Sequence, residues 1–360
     1  MKILHIIDSL GLGGAQSVVK GIFEAQKDNK SIFLFALRKR EITTEINHEN
    51  VSIFNSSSKY SLAPLFALKK LIEREKIDIL HCHLFRSNVF GWLLKVIWFP
   101  KIKLIFHEHG SIAIDGIFYR IFLRLSRKSV ILYIAVSQAM KRALVTLHIP
   151  EEKITVLYNF VDTKKFSRDN ITWNIAEERK KLGIPADAFV VGFAGRLIEL
   201  KGWREFIEAA RIIGMQDKSV RFVMAGDGPD REKMLRKIAQ YGILNRVAYL
   251  GYVSDMWKFY SILDCFVASS STESFGIAIL EARSMAVPVI ASNVPGLEEL
   301  VTDQENGLLF EAGNSEELSN KIGLLKEDSE SSGKMVRNGL SEIPTYSLDA
   351  YITKLTAIWV

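Results

Sequence analysis

Cysteine is scarce in this sequence and long apolar runs are missing, and each shortage excludes a class of protein. Cys82 and Cys265 are the only cysteines in 360 residues. They lie far apart in apolar, strand-like runs. No disulfide framework can form, and both read as small core residues in a reducing compartment. No apolar run reaches the roughly 20 residues that span a bilayer. The longest, from Val89 to Phe99, is broken by Lys95. The opening Met-Lys-Ile-Leu-His-Ile-Ile-Asp has too short an apolar stretch for a secretory signal and no cleavage site. Motifs for binding RNA or DNA are also absent. The expectation is a cytoplasmic protein, soluble or resting on a membrane surface.

What the chain does have is unevenly spread charge. Residues 1–165 carry 25 Lys and Arg against 14 Asp and Glu, whereas residues 166–360 carry 22 against 27. The basic first half calls for an anionic partner. With no nucleic-acid motif, an anionic membrane surface at the inner face of the membrane is the expected one.

Apolar runs of strand length alternate with helix-length segments from end to end. This pattern predicts parallel sheets with helices on both faces. Strands are expected at Lys2–Ile7, Ser31–Leu37, Val51–Phe54, Ile77–Cys82, Lys103–Phe106 and Val130–Val136. Helices are expected over Ala15–Gln26, Pro64–Glu75 and Gln138–Leu147. After Pro150 and the polar stretch Asp162–Asn174 a second series begins. It has strands at Ala188–Phe193, Val220–Ala225, Val247–Leu250, Cys265–Ala268 and Val289–Ala291, and helices over Trp203–Ile213, Arg231–Tyr241 and Glu316–Lys326. The expected domains are 1–165 and 166–345. Residues 346–360 form a closing helix that can return to the first domain.

The most informative stretch is Glu273-Ser-Phe-Gly-Ile-Ala-Ile-Leu-Glu281. A strand runs into a turn that holds Glu273, and a helix opens near Gly276 with Glu281 inside it. A helix start offers backbone N–H groups and a positive dipole end, which suits phosphate. Two carboxylates beside it suit the hydroxyls of a ribose and a sugar. After the first strand of the second half, Gly192-Phe-Ala-Gly-Arg-Leu-Ile-Glu-Leu-Lys-Gly202 brings Arg196 and Lys201 to one strand-to-helix turn, with Gly195 letting the backbone approach a ligand. Alone, that loop reads equally well as two solvated cations. Joined to residues 273–281 it reads as a diphosphate site. Gly226, in Ala225-Gly-Asp-Gly-Pro229, ends another strand and has a plain turn as its ordinary reading. So does Ser292-Asn-Val-Pro-Gly296, where a helix cap is the ordinary account.

In the first half, Gly13 and Gly14 open a helix after strand one. They form an anion or acceptor site rather than a dinucleotide fingerprint, because Gln16 stands where the third glycine belongs. The next strand ends in Arg38-Lys39-Arg40 and not in an acid, which leaves an NADP enzyme as a minor reading. Two pairs, His81/His83 and His107/His109, have the period of one strand face. A metal site is the minor reading, since no loop supplies a clear further ligand. His109, followed by Gly110, is the better candidate for contact with a ligand. The segment Gly116–Lys128 interleaves Ile, Phe and Tyr with Arg120, Arg124, Arg127 and Lys128. It reads equally as an ordinary surface helix or as an interfacial helix on anionic lipid. Trp92 to Trp98, with Lys95, Lys101 and Lys103, adds to the second reading.

Taken together these residues resemble the retaining glycosyltransferases of family four, which have the GT-B architecture. The likeness rests on Glu273 to Glu281, on Gly195-Arg196 with Lys201-Gly202, and on Ala225 to Gly228 and Gly296 with Glu298. In the first half it rests on Gly13-Gly14, His81 to His83, Glu108 to Gly110, Ala135 to Ser137 and Asn159 to Asp162. Phe160 departs from the family, which has glycine after the asparagine. The resemblance implies two Rossmann-like domains facing a central cleft, with the donor on the second and the acceptor on the first. Arg196 and Lys201 would then hold the diphosphate and Glu281 the ribose. Glu273 would contact donor-sugar hydroxyls near the Phe275 and Gly276 N–H groups. His109 would contact the donor sugar near the reaction centre.

The expected function is transfer of a sugar from a nucleotide diphosphate sugar, UDP-linked before GDP-linked, to a saccharide or lipid-linked acceptor. Glycan or cell-surface polysaccharide assembly is the expected setting. No cofactor is expected beyond the donor itself, and no metal. Two aspartates separated by one residue, the metal-binding pattern of the other large glycosyltransferase architecture, occur nowhere. The rival readings are a nucleotide-sugar epimerase of the same architecture and a non-catalytic membrane-associated α/β binding protein.

Overall fold

The computed structural model describes residues 1–11, 13–39, 46–55, 61–110 and 116–360. The chain divides into two compact units, Met1–Asn159 together with Leu348–Val360, and Phe160–Ser347. The expected boundary after residue 165 therefore falls inside the second unit.

The first unit is built on seven parallel strands: β1 Ile3–Ile7, β2 Ile32–Ala36, β3 Val51–Ile53, β4 Ile79–His83, β5 Lys103–Glu108, β6 Leu132–Ala135 and β7 Ile154–Val156. Their order across the sheet is β3-β2-β1-β4-β5-β6-β7. Every residue of β1, β2 and β4 is buried, as strands covered by helices on both faces require. Residues alternate between the faces. Leu4, Ile6, Leu80, Cys82, Leu104 and Phe106 join one hydrophobic core with Leu68 and Ile72 of the Ala63–Glu75 helix and Phe90 and Leu94 of the Phe85–Ile97 helix. The intervening positions bring His5, His81, His83 and His107 to the opposite face, all buried. The Gly14–Ala25 helix and the closing Leu348–Trp359 helix pack on one another, and Trp359 reaches His81.

The second unit has six parallel strands: β8 Phe189–Ala194, β9 Val220–Ala225, β10 Val247–Tyr249, β11 Cys265–Ala268, β12 Val289–Ser292 and β13 Leu308–Phe310, in the order β10-β9-β8-β11-β12-β13. Phe193, Phe222, Met224, Val267 and Phe310 pack on Trp203, Phe206, Ile207 and Ile213 of the Trp203–Gln216 helix and on Leu318 and Ile322 of the Ser315–Glu327 helix. Both cysteines are buried and unpaired.

Each sheet reverses its winding once, between β1 and β4 in the first unit and between β8 and β11 in the second. Such a reversal opens a crevice at the carboxyl ends of the strands, where α/β sheets take their ligands. The loops leaving β8 and β11 are those that carry Arg196, Lys201 and Glu273; in the first unit Gly13 ends the loop after β1, Gly14 opens the helix that follows, and His83 ends β4.

Candidate functional site

In the second unit, β8 ends at Ala194 and the chain crosses to the Trp203–Gln216 helix through a single turn, Glu199–Lys201. Gly202 closes that turn with φ 71°, and a Cβ there would lie 1.7 Å from the Ser269 carbonyl oxygen. Only glycine lets the β8 loop and the β11 loop touch at this point. The contact is sealed by Ser269 Oγ donating to the Gly202 carbonyl at 2.8 Å and by Ser271 N donating to the Leu200 carbonyl at 3.0 Å. The same device joins β8 to β9: a Cβ on Gly226 would lie 1.9 Å from the Gly195 carbonyl oxygen. Gly195 N donates to the Ala225 carbonyl, and Leu197 N donates to the Asp227 carbonyl. Three strand ends are thus locked together through backbone contacts.

That locking brings Lys201 to Glu273. The ammonium forms an ion pair with the Glu273 carboxylate, with roughly a quarter of the two side chains exposed. Ser270 Oγ donates to the same carboxylate at 3.4 Å, and Ser274 N donates to its other oxygen at 3.2 Å. Arg196 is exposed, and among the described residues it makes no salt bridge. Gly276 caps the Ile277–Ser284 helix in the left-handed conformation, with Phe275 buried just before it. Glu281 lies on that helix, and its Oε2 accepts a 2.9 Å hydrogen bond from the Tyr260 hydroxyl. Burial pushes the Glu281 carboxyl up to about 7, against the pull of the Tyr260 hydroxyl and the Lys165 ammonium. The loop after β12 backs onto this corner, with Gly296 against the Glu273 main chain. The structure therefore gathers Arg196, Lys201, Gly195, Gly226, Glu273, Phe275, Gly276 and Glu281 around one strand-end region. Tyr260 went unnoticed in the sequence, because nothing in its spacing from Glu281 signals their contact.

In the first unit, Gly13 and Gly14 open the Gly14–Ala25 helix as expected, with Gly13 at the cap. Arg38 is ion-paired with Asp8 at 2.5 Å, and Arg86 shares that carboxylate at 3.2 Å. This engages Arg38, the cation that an NADP phosphate would need. Arg40 lies outside the described residues. Lys95 does not face outward as an interfacial cation. Its ammonium donates to the Pro100 and Ile102 carbonyls, which closes the end of its own helix.

The two histidine pairs, separate in the sequence, meet in one layer that also includes His5. His81 and His107 lie with ring nitrogens 3.2 Å apart, His5 and His83 at 3.0 Å, and His83 and His109 at 2.9 Å. Burial holds all five imidazoles well below their usual range, with His5 and His109 at about 3. Two triads, His5/His81/His83 and His83/His107/His109, bring ligand atoms within 4.8 Å of one another. These triads supply the further ligands that the sequence did not reveal. In the geometry found, however, both nitrogens of His83 are hydrogen-bonded to other imidazoles. Glu108, between the second pair, is buried and accepts from the Tyr119 hydroxyl at 2.7 Å and from Asn88 Nδ2 at 2.9 Å.

The family model described as Glycosyl transferases group 1 matches residues 174–341, and the one described as Glycosyltransferase Family 4 matches residues 12–165. An uncharacterized glycosyltransferase of Methanocaldococcus jannaschii is 30% identical over 65% of this chain and 62% of its own length. The lipopolysaccharide core biosynthesis glycosyltransferase LpsE of Rhizobium meliloti is 32% identical over 52% of each chain. This chain thus matches less than two thirds of the length of either relative. The crystal structure of Anabaena HepE in complex with UDP and glucose superposes with a TM-score of 0.88 at 24% identity, over 100% of this chain and 99% of that one. The fold expected from the sequence is therefore the fold observed.

Proposed function

The chain belongs to family four of the glycosyltransferases, and from that premise we propose that it moves a sugar from a nucleotide diphosphate donor to a saccharide or lipid-linked acceptor with retention at the anomeric carbon. The observation that carries this reading is the Lys201–Glu273 ion pair beside the exposed Arg196, at the switch point of the second sheet. As the bond between sugar and diphosphate breaks, negative charge grows on the diphosphate. Arg196, Lys201 and the start of the Ile277–Ser284 helix stabilise that charge where it develops. Their cations supply the neutralisation that a metal would otherwise give. When the diphosphate takes Lys201, the Glu273 carboxylate is released to accept hydrogen bonds from the sugar. Glu281, held by Tyr260, accepts from the ribose hydroxyls.

UDP is the favoured donor nucleotide. The support is that HepE, of the same fold, was crystallised with UDP and glucose. Assembly of a cell-surface polysaccharide is the favoured setting, in keeping with LpsE. Attachment at the inner face of the membrane is supported by the Gly116–Ser126 helix. Phe118 is 80% and Leu125 69% exposed, with Ile117 and Ile121 also exposed and Arg120 and Arg124 alongside. Among the described residues no helix is long and apolar enough to cross a membrane.

The test is turnover of UDP- and GDP-sugars by the wild type and by Arg196→Ala and Glu273→Ala. Loss of sugar release in both variants is expected. Undiminished turnover in both would remove the proposal. An epimer formed without any acceptor would favour the epimerase reading instead.

A further inference from the structure

The imidazole layer of the first unit holds two hydrogen-bonded branches. The first begins at Trp359, whose indole N–H can only donate, 3.2 Å from His81 Nδ1. His81 Nδ1 therefore accepts, and a neutral His81 carries its proton on Nε2. That proton goes to His107 Nδ1. The second branch runs from His5 Nδ1 to His83 Nε2, and from His83 Nδ1 to His109 Nε2. It has no donor-only residue at either end, so the bonds alone allow both directions. One direction leaves an unpaired N–H at His5 Nε2, and the other leaves it at His109 Nδ1. Both atoms are buried, and neither has a hydrogen-bond partner among the described residues.

The two ends are not equivalent. His5 lies in the middle of β1 and is 1% exposed. His109 lies just past the end of β5 and is only partly buried. An unpaired N–H is tolerated better at the partly exposed strand end, where a small movement of the His109 ring brings its covered Nδ1 to a ligand oxygen, than at His5 in the middle of the sheet.

We propose that His83, backed by His5, is a positioning residue that donates to His109 Nε2 and so fixes the His109 proton on Nδ1, where it is offered as a neutral hydrogen-bond donor to a sugar oxygen. The sugar contact rests on the function proposed above; the tautomer does not. The layer acts by orienting a proton and not by absorbing one, since burial keeps every ring uncharged at neutral pH. His109 is then a donor and not a general base.

The experiment uses full-length protein labelled with 15N-histidine. Long-range proton–nitrogen correlations read each tautomer, and His109 is assigned by the signal lost in His109→Ala. The wild type is expected to show His109 protonated on Nδ1. His83→Asn places an amide near the former Nδ1 and keeps the donor to His109. His83→Gln places its amide near the former Nε2 and serves His5 instead. We expect His83→Asn to retain the tautomer and to stay within about threefold of wild-type kcat/KM for the donor. We expect His83→Gln and His83→Phe to shift the proton toward Nε2 and to lose about tenfold. His109 protonated on Nε2 in the wild type would overturn the proposal, as would identical behaviour of the Asn and Gln variants. So would stoichiometric displacement of the ring protons by added Zn2+. If the tautomers behave as stated but His109→Ala turns over normally, the sugar contact fails and the relay stands.

Discussion

At the switch point of the second sheet the loops carry Arg196, Lys201 and Glu273 and the helix that follows carries Glu281, whereas at that of the first sheet the strands end in imidazoles that burial keeps uncharged. The two units share a winding pattern and fill the same position in it with opposite chemistry. Charge, some of it exposed, would suit the diphosphate proposed above, which arrives charged and leaves more so. Neutral, buried donors match hydroxyls, which have no charge to offset. The difference suggests that the fold fixes where a ligand sits, and that the side chains at the strand ends decide what it is.

The contrast breaks most visibly under acid. The five buried imidazoles of the first unit, those of His5, His81, His83, His107 and His109, have folded pKa values below their ordinary 6.5. Below pH 6.5 the unfolded chain binds protons that the native chain refuses. Stability is therefore full above 6.5 and falls as the pH drops from there, down to about 3 for His5 and His109, by at most about 1.4 kcal/mol per pH unit for each of these imidazoles. Hydrogen exchange at pH 7.5 and 5.5 should show strands β1, β4 and β5 losing protection before β8 and β11. Equal loss in both units would contradict the contrast.

Next in size is Lys201→Ala. Removing one preorganised charge at the diphosphate should lower kcat by about 100- to 1000-fold, measured by steady-state sugar transfer. Gly202→Ala forces a Cβ into the Ser269 carbonyl from a left-handed backbone. It should cost about 2–4 kcal/mol in chemical denaturation and loosen the second unit alone.

Glu281→Gln tests the electrostatic character of the second site from the other side. Its folded pKa, about 7, lies above the unfolded 4.5. The native state thus prefers the neutral acid, and this residue's contribution to stability falls as the pH rises from 4.5 to 7 and is flat above. The glutamine variant should be more stable at pH 8, by at most about 3 kcal/mol, while binding nucleotide less tightly. Thermal melts with and without UDP measure both. The smallest effect is expected at the first unit's exposed helix. Phe118→Ser with Leu125→Ser should reduce co-sedimentation with anionic liposomes several-fold and leave the melting temperature nearly unchanged.

Most of the architecture was legible because parallel strands buried on both faces read as continuous apolar runs. Ile32–Ala36 and Ile79–His83 stand where the runs put them. Two of the four three-residue edge strands, Val51–Ile53 and Val247–Tyr249, stand where the sequence put them, whereas the other two, Ile154–Val156 and Leu308–Phe310, were not read from it. Polar helices such as Ser329–Glu342 were missed because serine and glycine dilute the helical period. In the site, Glu273, Lys201 and Arg196 were legible as local motifs. The Tyr260–Glu281 bond, the Arg86–Asp8 pair and the meeting of His5 with both histidine pairs were not. Each joins residues distant in sequence, and only the register of parallel strands or the packing of a helix brings them together. Lys95 was misread as a lipid-facing cation because its sequence neighbours are apolar, while its true partners are carbonyls beyond the helix end.

The central claim is that the second unit grips a nucleotide diphosphate through Lys201 and Arg196. Calorimetric titration of UDP and UDP-sugars into the wild type and Lys201→Ala tests it most directly. Binding that weakens at least tenfold in the variant is the expected result. No uptake by the wild type at millimolar ligand, or equal affinity in the two proteins, would contradict it.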